Sequence, residues 1–429
     1  MPLHGGLLRK MDFLATPRRR KLLFGLLYLS EGAPIGFIWL GLPTRLRSAN
    51  VAVEQITWLM AFLILPWTLK FLWAPVVDLL RGPRWGFKHW ILSAQVAMAL
   101  ALLPLAWLDL ASQLPIAAGW LFLHAICAAT QDISIDALCV SQSKPLERAS
   151  LNGWMQCGVL VGRATMGGGS LVMAQWIGFP AVVGVLIAIV LSSSLLLLFA
   201  RESTADVALP ESAARYDSLA QGLGLRTVAM VREIIVSLRS SHIWCAFLFA
   251  MTAPAAFKSL EAVMGPFLID RGYGEGEIGK FTATVTIGGM ILGSLLAGKL
   301  AGGAQGSRPV ALGLLLNVVA IGLLATADFV TDGQQGLHLF VLLAIISVTI
   351  GWFTVALYQW LMNLTSPKLA ATQFTAFMAA TNVCEAWSTA LFGELESRGG
   401  YPLAIGVMCV CSAISMLLLV FQSPRKLSL

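Results

Sequence analysis

Eight charged side chains stand inside long apolar stretches of this sequence: Glu31, Lys70, Asp132, Asp136, Arg163, Lys258, Glu261 and Glu385. An ionised group in hydrocarbon is costly unless it is paired or solvated in a cavity, so each of the eight is a site by default. The chemistry open to carboxyls set beside ammonium and guanidinium groups is the making and breaking of ion pairs and the reversible binding of protons. Nucleophilic catalysis fits poorly, because no nucleophile, base and orienting group can be assembled from the scattered candidates. The seven cysteines all fall in apolar stretches, where they act as small packing residues. No disulfide, metal site or cofactor is expected.

The elements that must position these groups are membrane helices. The 429 residues are 57% hydrophobic and 12% charged, where a soluble domain carries about 25% charged residues. The apolar residues come in blocks of about 20, enough to cross about 30 Å of hydrocarbon as helix. Twelve spans are predicted, near 22–46, 55–79, 89–108, 115–141, 151–175, 179–200, 242–268, 278–302, 309–328, 337–364, 370–396 and 401–421. The fold class is therefore an all-α membrane protein of two six-helix halves. Its parts are a tail (1–21), a first half (22–200), a polar central segment (201–241), a second half (242–421) and a second tail (422–429). Between Glu211 and Ser241 apolar residues alternate with Arg226, Arg232 and Arg239; a surface helix on the inner leaflet and a plain linker both suit this pattern.

Basic residues set the orientation, because they are retained on the cytoplasmic side. They gather in the N-terminal tail (Arg9, Lys10 and Arg18 to Lys21), the central segment, the even-numbered loops and the C-terminal tail. Both termini are expected in the cytoplasm, and the net charge of +7 reports topology rather than nucleic-acid binding. Pro17 to Phe24, PRRRKLLF, loosely resembles a twin-arginine export signal, but Glu31 interrupts the apolar run and no small-residue cleavage site follows. It reads instead as the basic anchor of the first span.

Counted from the predicted inner ends, Glu31, Lys70, Asp132 and Arg163 lie at similar depth on spans 1, 2, 4 and 5, which predicts one mutually neutralising layer. Asp136 lies one turn from Asp132 on the same helix face. With both acids facing one base, a carboxyl is surplus, and it is the natural proton carrier because burial and a like-charged neighbour disfavour a second negative charge. The bland reading is that the charges only lock helices together or gate the inner side. In the second half Lys258 and Glu261, three apart, can satisfy each other; the sharper pairing is Lys258 with Glu385 on span 11. Candidates to line a solute cavity are His124, Gln131, Gln156, Lys258, Glu261, Tyr358, Gln359 and Asn382. His124 reads first as a hydrogen-bonded structural histidine, with a place in a proton path as the alternative. Asp78 with Arg81 reads as a latch at the inner end of span 2.

Twelve spans as six plus six around a basic central segment resemble the major facilitator superfamily, and Asp78, Arg81 and Arg84 resemble a loose form of its loop signature. Four stretches sharpen this: YLSEGAPIGFIWLGLPTRLR (Tyr28 to Arg47), PWTLKFLWAPVVD (Pro66 to Asp78), ATQDISIDAL (Ala129 to Leu138) and GVLVGRATMGGG (Gly158 to Gly169). They look like the AmpG-type permease branch, which includes muropeptide permeases, acetyl-CoA transporters and permeases for ferric siderophores. The resemblance implies a bacterial inner-membrane secondary importer of an amphiphilic solute, working as a monomer by alternating access and coupled to protons. The LPTRLR ending of span 1 and the compact length look more like the siderophore permeases, so a ferric siderophore is the first expected solute and an anhydro-muropeptide the alternative. Glu31 and Val161 depart from that pattern. An exporter of the same fold and a membrane-embedded acyltransferase using His124 are the remaining readings.

Overall fold

A computed structural model describes residues 12–202 and 241–420, save 75–76, 78–84, 144, 302–306 and 365–369. Ten helices are long and apolar enough to cross a membrane, and a shorter apolar helix, Val53–Leu69, stands where span 2 is predicted. The last of the ten, Ala376–Leu419, is two helices. Its backbone leaves helical geometry at Gly399 and Gly400, and Gly400 takes φ 72°, where glycine pays no Cβ penalty. Among the described residues twelve apolar helical segments result, and all described regular structure is helical.

The helices begin and end where local chemistry dictates. Pro17 opens the first span behind Thr16, whose side chain accepts from the Arg19 amide. At its far end Asn50 adopts φ 63°, a left-handed turn that asparagine tolerates. The Glu202 carboxylate accepts from the Phe87 and Lys88 amides at 3.2 and 3.0 Å, satisfying the orphan donors that open span 3. Between spans 3 and 4, Ser112 and the Ala111 amide donate to Asp109 at 2.6 and 3.3 Å. Those bonds hold its carboxyl below the usual range.

Several spans are not continuous α-helices. Span 1 carries a π turn at Phe37–Gly41, and span 8 carries another at Thr282–Thr286. Span 2 tightens into a 3-10 turn at Lys70–Leu72. Span 5 is divided between Pro145–Met166 and Gly168–Ile177, and span 7 between Ser241–Thr252 and Ala255–Asp270.

The chain divides into two compact units, residues 1–204 with 261–287, and residues 205–260 with 288–429. This boundary differs from the expected halves, because the second part of span 7 and the start of span 8 pack with the first six spans. In the first unit, spans 1 and 5 run side by side at backbone contact. A Cβ on Gly32 would fall on Val159, one on Gly36 on Arg163, and one on Gly158 on the Gly25 carbonyl oxygen. Only glycine permits that approach, the small-residue packing of membrane helices. A core of Phe24, Leu27, Ile91, Ile135, Leu138, Leu151, Met155 and Leu197 fills the predicted inner end. In the second unit the Trp352 indole donates to the Pro309 carbonyl at 3.2 Å and Asn317 donates to Thr349 at 3.0 Å, fixing spans 9 and 10 together.

Candidate functional site

The 3-10 turn that interrupts span 2 delivers Lys70 to span 4, where its Nζ donates to Asp132 Oδ2 in an ion pair. One turn along span 4, Asp136 is exposed and accepts from the Tyr28 hydroxyl at 2.5 Å. Glu31, one turn from Tyr28 on span 1, is only 5% exposed, and its Oε2 is buried with no hydrogen-bond partner. It lies within electrostatic reach of Asp132, Asp136 and Lys70. Three carboxyls thus face one ammonium. Two of the acids have a donor already, and the third, the most deeply buried, has a bare oxygen. That arrangement can bind and release protons while an ion pair holds the two helices.

Arg163 does not join this layer as its depth predicts. Its guanidinium pairs with Glu261 on the second part of span 7, within the first unit, while its Nε is buried with no acceptor. The reason lies in the glycine seam: spans 1 and 5 run parallel with Gly32 opposite Val159 and Gly36 opposite Arg163, which sets Arg163 above the level of Glu31. Both spans begin earlier than predicted, at Pro17 and Pro145, so the counted starts carry no register between them; the glycine contacts do.

In the second unit Lys258 Nζ donates to Glu385 Oε2 at 2.6 Å, with side chains 21% and 9% exposed. Of the two pairings open in the sequence this is the longer-range one. Glu261 is paired with Arg163 in the first unit. Tyr358, Gln359 and Asn382 are half-buried. Trp387, another residue of span 11, donates to the Met251 carbonyl at 2.8 Å and helps hold span 11 against the first part of span 7.

His124 and Gln131 are fully buried. The His124 Nδ1 lies 3.4 Å from the Met98 carbonyl and its Nε2 has no partner, while neither amide atom of Gln131 is bonded. Gln156 is exposed. Asp78, Arg81 and the proposed central surface helix lie outside the described residues.

Sequence reasoning missed three features. Tyr28 sat inside a quoted motif, and its i to i+3 spacing to Glu31 was the available signal. At the predicted outer end Arg47 bonds Asp270 at 2.6 Å and Arg45 stands 3.6 Å from Glu275, which also accepts from Ser48. At the inner end Arg20 pairs with Glu147 at 2.7 Å.

The Major Facilitator Superfamily profile matches residues 24–389. The chain belongs to that superfamily. Its relatives include an anhydromuropeptide permease of Escherichia coli, 23% identical over 84% of this chain and 71% of that protein. A putative AmpG 4 transporter of Rickettsia felis is 24% identical over 94% and 96% of the two chains. Among solved structures, a D-xylose-proton symporter superposes with a TM-score of 0.70 at 12% identity, over 93% of this chain and 96% of the other. A bacterial homologue of the human lysosomal transporter Spinster also reaches 0.70, at 14% identity over 94% and 96%. These structures share the fold alone, and the chain is a multi-pass membrane transporter of that superfamily.

Proposed function

We propose that this chain is a proton-coupled importer of an amphiphilic sugar–peptide solute of the anhydro-muropeptide class. It sits in a bacterial inner membrane as a monomer, with both termini in the cytoplasm, and works by alternating access. The observation that carries the coupling is the imbalance of the first-unit cluster, where, among the described residues, the three carboxyls of Glu31, Asp132 and Asp136 share the Lys70 ammonium. An exposed acid, Asp136, exchanges protons with the aqueous side, and the buried Glu31 holds one. No glycine-rich phosphate loop occurs in the sequence, in keeping with an ion gradient as the energy source.

The solute reading rests on the permease relatives. The ferric-siderophore reading that motif details placed first gains nothing from them, and the anhydro-muropeptide reading replaces it. The test is uptake of radiolabelled anhydro-muropeptide by proteoliposomes holding the purified protein. Accumulation should follow an imposed pH gradient and cease when both the gradient and the membrane potential are collapsed. Uptake indifferent to that collapse would sink the coupling; absence of uptake under any gradient would sink the solute.

A further inference from the structure

Two buried polar atoms of the first unit lack partners and complement each other. Glu31 Oε2 is an acceptor without a donor, and Arg163 Nε is a donor without an acceptor. Burial of either group unpaired is costly, and a salt bridge between them would satisfy both. The glycine seam fixes how far apart they are. Arg163 stands opposite Gly36, five residues beyond Glu31 on the parallel neighbouring helix. That separation is about 7.5 Å along the axis, within the combined length of an arginine and a glutamate side chain. Helical side chains lean toward their own N-terminus, so Arg163 leans toward the level of Glu31.

What keeps them apart here is Glu261, which holds the Arg163 guanidinium. Glu261 belongs to the segment that continues to Asp270 and Glu275, the acids bound by Arg47 and Arg45. Arg163 is therefore the deepest of three basic side chains that fasten the 261–287 segment to the first six spans.

We propose that Glu31 and Glu261 compete for Arg163, and that this competition is how proton binding reaches the fastening of the 261–287 segment. Protonated Glu31 leaves Arg163 to Glu261, and the 261–287 segment stays fastened. Ionised Glu31 draws the guanidinium to itself, and Glu261 is released. The groups facing Glu31 are Lys70 from span 2, Asp132 and Asp136 from span 4 and Tyr28 from its own helix. Lys70 is engaged by Asp132 and Tyr28 by Asp136, and Asp132 also shares a side-chain hydrogen bond with Glu31; Arg163 is the further base that the parallel neighbouring helix offers an ionised Glu31. Arg163 acts here as a positioning residue, through Glu261. The switch rests on the proton-coupled reading given above.

Hydrogen exchange of the full-length protein in nanodiscs, without solute and corrected for intrinsic rates, tests it. At about pH 8, Glu31→Gln should slow exchange across residues 261–281 at least about threefold relative to wild type. At about pH 5.5 the two should coincide. Glu261→Gln should speed exchange of the same segment at both values. Arg163→Lys keeps the charge but falls short of Glu31, so that segment should lose its pH response. Equal exchange of wild type and Glu31→Gln at the higher pH, or a pH response retained in Arg163→Lys, would overturn the switch. Because no solute is present, that failure is separable from failure of gradient-driven uptake, which is read in proteoliposomes.

Discussion

Replacing Lys70 by methionine removes the one cation of the first-unit cluster and keeps most of its volume. The Lys70 and Asp132 side chains are 26% and 10% exposed. Breaking a fully buried pair costs about 3 to 5 kcal/mol, because the surviving charge is left uncompensated. Partial solvent access to Lys70 lowers this to about 2 to 4 kcal/mol. In the variant Asp132 faces Asp136 and Glu31 with no base between them. At about 2 to 4 °C per kcal/mol for a unit of this size, the unfolding midpoint should fall by roughly 4 to 16 °C. Cys139, Cys384 and Cys409 are buried and report unfolding when they react with a fluorogenic thiol reagent, after the exposed Cys157 has been blocked. Acidification should narrow the gap, since one proton taken up by the three acids removes a charge that the variant cannot balance. The double variant Lys70→Met/Asp132→Asn should recover at least about half of the loss, because the two residues act as a pair. An unchanged midpoint in the single variant, or a double variant as damaged as the sum of the singles, would refute this account of the cluster.

Three further outcomes follow from the same geometry. Gly158→Leu places a side chain on the Gly25 carbonyl; separating spans 1 and 5 should cost about 1 to 3 kcal/mol and abolish uptake, read by thermal unfolding and proteoliposome assay. Tyr28→Phe deletes the 2.5 Å donor to Asp136 and should cost about 1 kcal/mol, with uptake reduced roughly fivefold while the midpoint shifts by only a few degrees. Lys258→Gln and Glu385→Gln should each impair uptake alone, and a charge-swapped pair, Lys258→Glu/Glu385→Lys, should restore part of it if the 2.6 Å bridge is the common cause.

The membrane helices were legible because hydrophobic blocks of span length leave little choice of fold. The Lys258 to Glu385 and Lys70 to Asp132 pairs were legible because a charge in hydrocarbon must find a partner and few partners exist. Arg163 was misplaced because its depth was counted from a predicted helix start, while its level is set by glycine contacts with span 1. Hydropathy reports that a segment crosses the membrane, but not its register against a neighbour. Tyr28 was passed over for a related reason. A phenol is amphipathic and common in membrane helices, so only the three-dimensional meeting with Asp136 marks it out. The association of residues 261–287 with the first unit lies beyond any pattern in the sequence, since it depends on which faces pack.

Four of the eight charged groups stand near interruptions of their helices, and one explanation covers both. Lys70 begins the 3-10 turn of span 2, and Lys258 follows the break between Thr252 and Ala255 by one turn. Arg163 precedes the break at Gly167 by four residues, and Glu31 precedes the π turn that starts at Phe37 by six. Pro34, Pro66 and Pro254 stand at or near three of these places, each lacking the amide that would close a helical bond. Broken helix frees carbonyl and amide groups, and within a membrane those groups are tolerable only where protein or a water-filled cavity satisfies them. The same surroundings make a buried carboxyl or ammonium tolerable. A helix that carries its charge beside its own break can also bend there without losing a continuous ladder of hydrogen bonds. Rearranging ion pairs at Glu31, Arg163 and Glu261 can therefore move one segment of a span while the rest stays packed, which is what a cycle between two sides of a membrane requires.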